Sequence, residues 1–230
     1  MFEKLIKVPQ RPEKLSELFW ELQVIAGEAV VPDHASSDEL AKKDLMWVVV
    51  RYEVELMRPL LPGETLRLTT WALPFRHRMS QRCYLAFDKE ENCVLKGAGI
   101  WTVVHFVTRE MVSPEEYGIG FQGETTGYEP ARPASPLRCS LQYSTDFLVT
   151  DEVLDRNVHM NNTRYFDVVQ ECCKNETSGM FLKSVRAVFA NEARKDDLLR
   201  IQWGRENNRF FFLGEKENES CFQIGLEYAH

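Results

Sequence analysis

Apolar residues recur at helical spacing near the start of the chain. Pro12 is of a type favoured in the first turn of a helix. Six apolar residues follow it, three or four positions apart: Leu15, Leu18, Phe19, Leu22, Ile25 and Ala26. This spacing places them on one face of an α-helix. The sequence therefore predicts an amphipathic helix with a buried apolar face.

Segments that are rich in β-branched residues or alternate in polarity follow this helix. They are separated by turn residues such as the Pro-Gly pair at 62–63 and the polar run at 90–92. This pattern is typical of antiparallel strands. We predict four strands in this half of the chain, at 46–57, 64–73, 81–88 and 93–107.

The second half of the chain repeats this order. Residues 140–149 predict a strand, and helical spacing returns at Tyr165, Val168, Val169, Cys172 and Cys173. Further strands are predicted at 183–194, 197–203, 209–216 and 220–228. The segment PGETLRL (62–68) matches KDDLLRI (195–201) at an offset of 133 residues. The repeated order indicates an internal duplication.

A long helix followed by antiparallel strands buries its apolar face when the sheet curls around it. This arrangement resembles the hot-dog fold, and two copies in one chain pair through their sheets and remove two exposed edges. We therefore predict an α+β tandem (double) hot-dog fold, with domains at 1–112 and 139–230. Residues 113–138 are rich in Gly and Pro, which predicts an extended linker.

Composition excludes several classes of function. The net charge of −7 argues against nucleic acid as the main partner, because phosphate binding needs an excess of Lys and Arg. No apolar run approaches the ~20 residues of a membrane span, and the N-terminal residues lack the apolar core of a secretory signal. None of the six cysteines lies in a C-x-x-C pair, which argues against zinc. We expect a cytoplasmic protein without a cofactor.

The stretch DRNVHMNNTRY (155–165) concentrates polar side chains just before the second predicted helix. In an extended loop, Asp155, Asn157 and His159 would point the same way. Asn161 or Asn162 lies where an N-cap is favoured, and the free N–H groups of a helix start can polarise a carbonyl oxygen. The alternative interpretation is a helix cap beside a structural histidine.

A carboxylate, Glu192, follows a strongly apolar predicted strand. A buried carboxylate without a partner is costly, which makes Glu192 a candidate functional residue. The offset of 133 residues places Pro59 at the equivalent position of the first half, so only the second half keeps the polar set. The alternative is a solvated charge at a strand end, paired with Arg194.

These residues resemble a known family. The run from Asp155 to Tyr165 is similar to the motif D-x-N-x-H-V-N-N-x-x-Y of acyl-acyl-carrier-protein (acyl-ACP) thioesterases, the plastid enzymes of plants and their bacterial relatives. FANEARKDDLL (189–199) matches the segment that carries the family's catalytic glutamate, and Glu192 falls on that glutamate. Ala193 stands where the plant enzymes have a cysteine.

The resemblance implies hydrolysis of a fatty acyl thioester on ACP, giving a free fatty acid and holo-ACP. The acyl chain would lie in a tunnel around the first helix. Glu192 would activate water, or orient it together with His159, and Asn157 would position the carbonyl or the water. Asp155 would hold the loop and support His159, and backbone N–H groups near Asn161 and Asn162 would stabilise the oxyanion. No covalent intermediate is expected.

An acidic chain that binds acidic ACP needs a local basic surface. The candidates are Arg76, Arg78, Arg82, Lys183, Arg186, Arg194 and Lys195. Rival functions are an acyl-CoA thioesterase and a non-catalytic acyl-thioester-binding module. A dehydratase would need a second histidine motif, which the first half lacks. The sequence leaves open whether the protein is a monomer or a homodimer.

Overall fold

A computed structural model describes residues 1–119, 123–155 and 157–230. Within these residues the chain forms three α-helices, α1 (Leu15–Ala29), α2 (Ser37–Ala41) and α3 (Asn162–Cys173), and eleven strands. The strands are β1 (Phe2–Lys7), β2 (Leu45–Leu56), β3 (Thr65–Ala72), β4 (Met79–Phe87), β5 (Cys93–His105), β6 (Met111–Val112), β7 (Tyr143–Leu148), β8 (Phe181–Phe189), β9 (Leu198–Glu206), β10 (Arg209–Lys216) and β11 (Glu219–Ala229).

The strands form one antiparallel sheet in the order β1-β3-β4-β5-β2-β8-β11-β10-β9-β7, with β6 paired to β5. The order is the same from both ends of the sheet. From one end, β1 is followed by β3, β4, β5 and β2; from the other, β7 is followed by the equivalent strands β9, β10, β11 and β8. The halves meet where β2 pairs with β8. In this pairing Glu53 lies opposite Arg186, and their side chains form an ion pair at 2.8 Å. These residues are 133 positions apart, the offset of the sequence repeat.

The helices α1 and α3 pack against each other on one face of the sheet. The six apolar residues predicted for the buried face of α1 are all buried. Phe19 of α1 stacks on Phe166 of α3 with ring centroids 4.1 Å apart, and both rings are fully buried. One continuous core therefore joins the halves. The predicted α+β tandem hot-dog fold is confirmed.

Five details of the sequence interpretation were wrong or incomplete. The strands β1 and β6 and the short helix α2 were not predicted. The strand predicted at 183–194 ends at Phe189, because residues 193–194 pair with the loop at 159–160 instead. The predicted extended linker begins with a 3₁₀ turn, Pro114–Tyr117. The domain boundaries at 112 and 139 stay a prediction. In the part of the chain that the structure describes, no helix is both long and apolar enough to cross a membrane.

Candidate active site

The polar loop before α3 is a tight turn, so the expectation of an extended loop was wrong. The Asp155 N–H donates to the His159 carbonyl (2.9 Å), and the Val158 N–H donates to the Asp155 carbonyl (3.1 Å). Val158 has a positive φ of 62°, which reverses the chain. Asp155 and His159 thus lie side by side because the turn closes, not because alternate residues share a face. Arg156 lies outside the described residues.

Asp155 contacts both its loop and the imidazole. Its Oδ1 accepts the Asn157 N–H at 2.7 Å, and its Oδ2 lies 3.4 Å from Nδ1 of His159. The two side chains are 20% and 14% exposed, so water screens this pair weakly. Asp155 therefore fixes the turn and orients the ring of His159.

Glu192 approaches the other side of the same imidazole. It lies in the loop after β8, and its Oε1 is 3.7 Å from Nε2 of His159. Arg109, in the turn between β5 and β6, forms an ion pair with Glu192. Its Nη2 donates to Oε2 at 3.1 Å, and its Nε lies 3.0 Å from Oε1 without the geometry of a hydrogen bond. The contact with Arg194 that the alternative interpretation invoked exists, but it is longer, at 3.6 Å.

Arg109 is the site residue that the sequence analysis missed. It is 83 positions from Glu192 and belongs to the half without the polar motif. Arg109 has a φ of 61° and lies in a turn, as many hairpin residues do. No local pattern marks it, since its partner is brought near only by the pairing of the halves.

The start of α3 is capped by Asn161, whose Oδ1 accepts the Thr163 N–H at 2.9 Å. Asn162 Oδ1 accepts instead from Nε2 of Gln23 in α1 at 2.7 Å. The backbone N–H of Asn161 donates to Val153 and is therefore not available to an oxyanion. Within the described residues, the N–H of Asn162 has no hydrogen-bond partner, which leaves it as the available donor at this helix end.

A cavity of about 1380 Å³ opens at these groups. Asp155, Asn157, His159 and Glu192 all line it, as does Arg109. From the site it extends along α1 and the first-half sheet, where its lining is largely apolar: Val24, Ala26, Val30, Met46, Val49, Ala72 and Val104. Polar groups at one end and an apolar interior suit a ligand with a reactive head and a long apolar tail.

The last residue of the motif, Tyr165, has a structural role. It is 3% exposed and packs on Phe222, with ring centroids 4.7 Å apart. Burial raises the pKa of its hydroxyl well above the ordinary value. Among residues 1–119, 123–155 and 157–230, no three His, Cys, Asp or Glu side chains are arranged to hold a metal ion.

Three of the basic residues predicted to dock a carrier are badly placed for it. Arg82 is only 6% exposed and lines the cavity. Arg186 lies in the sheet, partly buried and paired with Glu53. Lys183 is exposed but lies near the start of β8, at the far end from Glu192, and pairs with Glu227. The docking role of these three residues stays a prediction that their positions do not favour. A strand register, which spacing does not reveal, decides where each side chain lies.

The other four basic residues lie at the same end of the sheet as Glu192. The registers place the starts of β2 and β4 beside the ends of β5 and β8. Arg76 and Arg78 are exposed in the turn before β4, and Arg78 donates to the Met111 carbonyl at the rim of the cavity. Arg194 and Lys195 lie two and three positions after Glu192, and their side chains are 64% and 51% exposed.

Comparison with known proteins adds a second line of evidence. Residues 11–117 match the family model of the acyl-ACP thioesterase N-terminal domain. The match lies in the half that lacks the polar motif, so it is independent of the residues on which the resemblance was based. It confirms that resemblance. No curated protein matches the chain in sequence.

Solved structures share the fold at low identity. A 12:0-ACP thioesterase from Umbellularia californica superposes with a TM-score of 0.81 at 17% identity, covering 99% of this chain and 96% of that one. An acyl-ACP thioesterase from Bacteroides thetaiotaomicron gives 0.80 at 16%, covering 99% and 98%. A MaoC-like dehydratase from Phytophthora capsici gives 0.53 at 13%, covering 100% and 95%. The fold thus occurs with different named activities, and function has to be argued from the site.

Proposed function

We infer that this protein is a thioester hydrolase of the acyl-ACP thioesterase family, which converts fatty acyl-ACP to free fatty acid and holo-ACP. The observation that carries the inference is the position of Asp155, His159 and Glu192 in a row at the polar end of a large apolar-lined cavity. The family match of residues 11–117 supports a fatty acyl thioester on ACP as the substrate.

We propose His159 as the general base. Its Nδ1 faces Asp155, which fixes the ring. Its Nε2 is buried and has no hydrogen-bond partner among the described residues. Both oxygens of Glu192 already face Arg109, so this carboxylate is better suited to orienting water than to removing its proton. Nε2 and the Glu192 Oε1 are 3.7 Å apart, so a small movement of either side chain that opens Nε2 would let one water molecule hydrogen-bond to both.

In this mechanism the water oxygen bonds to the thioester carbonyl carbon while His159 takes a proton from the water. The Asn162 N–H and the positive end of the α3 dipole stabilise the oxyanion, and Asn157 positions the carbonyl. The C–S bond then breaks, and His159 returns the proton to the leaving sulfur. Ala193, fully buried beside Glu192, offers no nucleophile at that position. Because water attacks the carbonyl directly, this mechanism has no covalent intermediate.

Release of free fatty acid from a panel of acyl-ACP and acyl-CoA thioesters tests this function. We expect turnover on acyl-ACP, and a loss of roughly 10²–10³-fold in kcat for His159→Ala and for Glu192→Ala. Glu192→Gln keeps the size of the side chain, so it separates loss of charge from loss of packing. Near-normal turnover in folded His159→Ala protein would overturn the assignment of the base. Binding without turnover would indicate a binding module.

We propose that ACP docks on the basic rim formed by Arg76, Arg78, Arg194 and Lys195, at the mouth of the cavity. An acidic carrier attracted by this rim loses affinity as salt screens the charges. We expect the Arg76→Glu/Arg78→Glu double variant to raise KM for acyl-ACP while leaving turnover of a small acyl-pantetheine thioester unchanged. Lys183→Glu, at the far end of the sheet, is the matched control. Equal effects of the two variants would exclude this docking surface.

We propose a cytoplasmic location, since all six cysteines are free and a reducing compartment keeps them so. Strands β1 and β7 lie at the two ends of the sheet and leave one edge of each without a partner strand in the described chain. Both a monomer and a homodimer are compatible with this arrangement. Light scattering distinguishes the two.

A further inference from the structure

A buried arginine lines the cavity in the first half of the chain. Arg82 lies on β4, is 6% exposed and faces the cavity. Its one hydrogen bond among the described residues is a long contact of 3.4 Å from Nη1 to the Thr70 hydroxyl, and none of their carboxylates lies within ion-pair distance. Burial lowers the pKa of its guanidinium, and Tyr84, Tyr52 and Asp33 offset this only in part.

Three further polar groups lie near Arg82: the hydroxyls of Tyr52 and Tyr84 and the indole Nε1 of Trp101. All three are buried and interact with one another rather than with backbone groups. The three rings are neighbours: Tyr52 is 6.4 Å from Tyr84 and 6.1 Å from Trp101, measured between centroids. Trp101 lines the cavity together with Arg82.

This concentration of donors is at odds with a tunnel built only for an alkyl chain. Arginine remains charged in proteins, and burying its charge without a partner is strongly unfavourable. A plain hydrocarbon tail in contact with Arg82 would leave its N–H groups unsatisfied. An oxygen acceptor on the ligand would satisfy them.

We propose that Arg82, beside Trp101 in the lining of the cavity, binds an oxygen acceptor carried on the acyl chain: a hydroxyl or a carboxylate. The preferred substrate is then an oxygenated acyl thioester rather than a saturated, unsubstituted one. The inference rests on the proposed function and specifies its substrate class.

The test compares acyl-ACP thioesters of equal chain length that carry a terminal methyl, hydroxyl or carboxylate group, across a series of lengths. For the natural protein we expect kcat/KM to be about tenfold or more higher for the best oxygenated chain than for its plain counterpart. Arg82→Met keeps the length of the side chain and removes its donors, and we expect it to reverse the preference. Arg67→Met, on the neighbouring strand and paired with Glu3, is the matched control.

One further measurement keeps the outcomes distinct. Calorimetric titration of the natural protein with plain and oxygenated fatty acids tests the site without any variant or turnover. Tighter binding of the oxygenated acid without hydrolysis of any thioester would support the site and overturn the proposed function. Equal or better turnover of the plain chains at every length would overturn the inference and leave the thioesterase function intact. The hydroxyl and carboxylate arms identify the group that Arg82 takes.

Discussion

Arg109 and Glu192 form a two-pronged ion pair that joins the two halves of the chain at the candidate active site. The distances are 3.0 Å from Nε to Oε1 and 3.1 Å from Nη2 to Oε2. The guanidinium also lies over the ring of Phe106, 4.9 Å from its centroid. The first half thus fixes a carboxylate of the second half in the position from which it faces His159.

Replacing Arg109 therefore tests positioning rather than binding. We expect Arg109→Met to lower kcat by about 10- to 100-fold with little change in KM, because a misplaced carboxylate no longer orients the water. Arg109→Lys keeps the charge but not the two-pronged contact, and it should recover only part of kcat. Steady-state kinetics on an acyl-pantetheine thioester avoids any effect on carrier docking. An unchanged kcat in Arg109→Met would mean that Glu192 does not depend on this contact.

The sequence predicted the elements better than the contacts between them. Helical spacing identified the buried face of α1 and the alternation identified most strands, because both patterns are local consequences of burial. The repeat at an offset of 133 residues anticipated that the halves are equivalent. Glu53 and Arg186, which pair across the junction, show that the same offset relates residues at the centre of the sheet.

The site was predictable only in part. The structure brings Asp155, His159 and Glu192 together, and their catalytic roles stay a prediction. The local geometry differs from the expected one, because the loop is a turn and Glu192 lies beyond the end of its strand. Arg109 was missed because nothing in its neighbourhood marks it. Arg82 was assigned to the surface because the sequence shows polarity but does not show which side of β4 faces the core.

Asp155 has two contacts, and a pair of variants separates them. Asp155→Asn keeps an oxygen for the Asn157 N–H but removes the charge next to His159. We expect it to lower kcat by about 10²–10⁴-fold with little loss of stability, because the ring loses the acceptor that fixes its tautomer. Asp155→Ala also loses the turn contact, which costs about 1 kcal/mol more. Thermal unfolding and kcat are measured together. Wild-type kcat in Asp155→Asn would remove Asp155 from the mechanism.

The stacked pair Phe19 and Phe166 predicts that the halves unfold together. Both rings are fully buried where α1 meets α3, so Phe19→Ala should destabilise the protein by about 3–5 kcal/mol. The urea unfolding curve should remain a single transition seen alike by fluorescence and circular dichroism. Tyr128→Ala, at a side chain 80% exposed, is the control and should change stability by less than about 0.5 kcal/mol. Two separate transitions would show that the halves are independent.

Buried thiols predict a loss of stability at alkaline pH. Burial raises the pKa of Cys173 to about 12 and that of Cys83 to about 11, whereas the pKa of a thiol in the unfolded chain is about 8.5. Above that lower value the unfolded state binds fewer protons than the folded state, so stability falls as pH rises. Between its unfolded and folded pKa values, each thiol lowers the free energy of unfolding by about 1.36 kcal/mol per pH unit. Below both pKa values it has no effect.

Urea unfolding at a series of pH values between about 8 and 9.5 measures this slope, in a range where tyrosines remain protonated in the unfolded chain. Cys173→Ala removes one raised thiol, so its curve should fall less steeply than that of the natural protein, whatever the cost of the substitution at neutral pH. Cys83→Ala should flatten the slope by a similar amount, and the double variant by the sum, since the two residues lie in different halves of the core. Parallel curves for all four proteins would mean that these thiols ionise without unfolding, and that the core around them admits water.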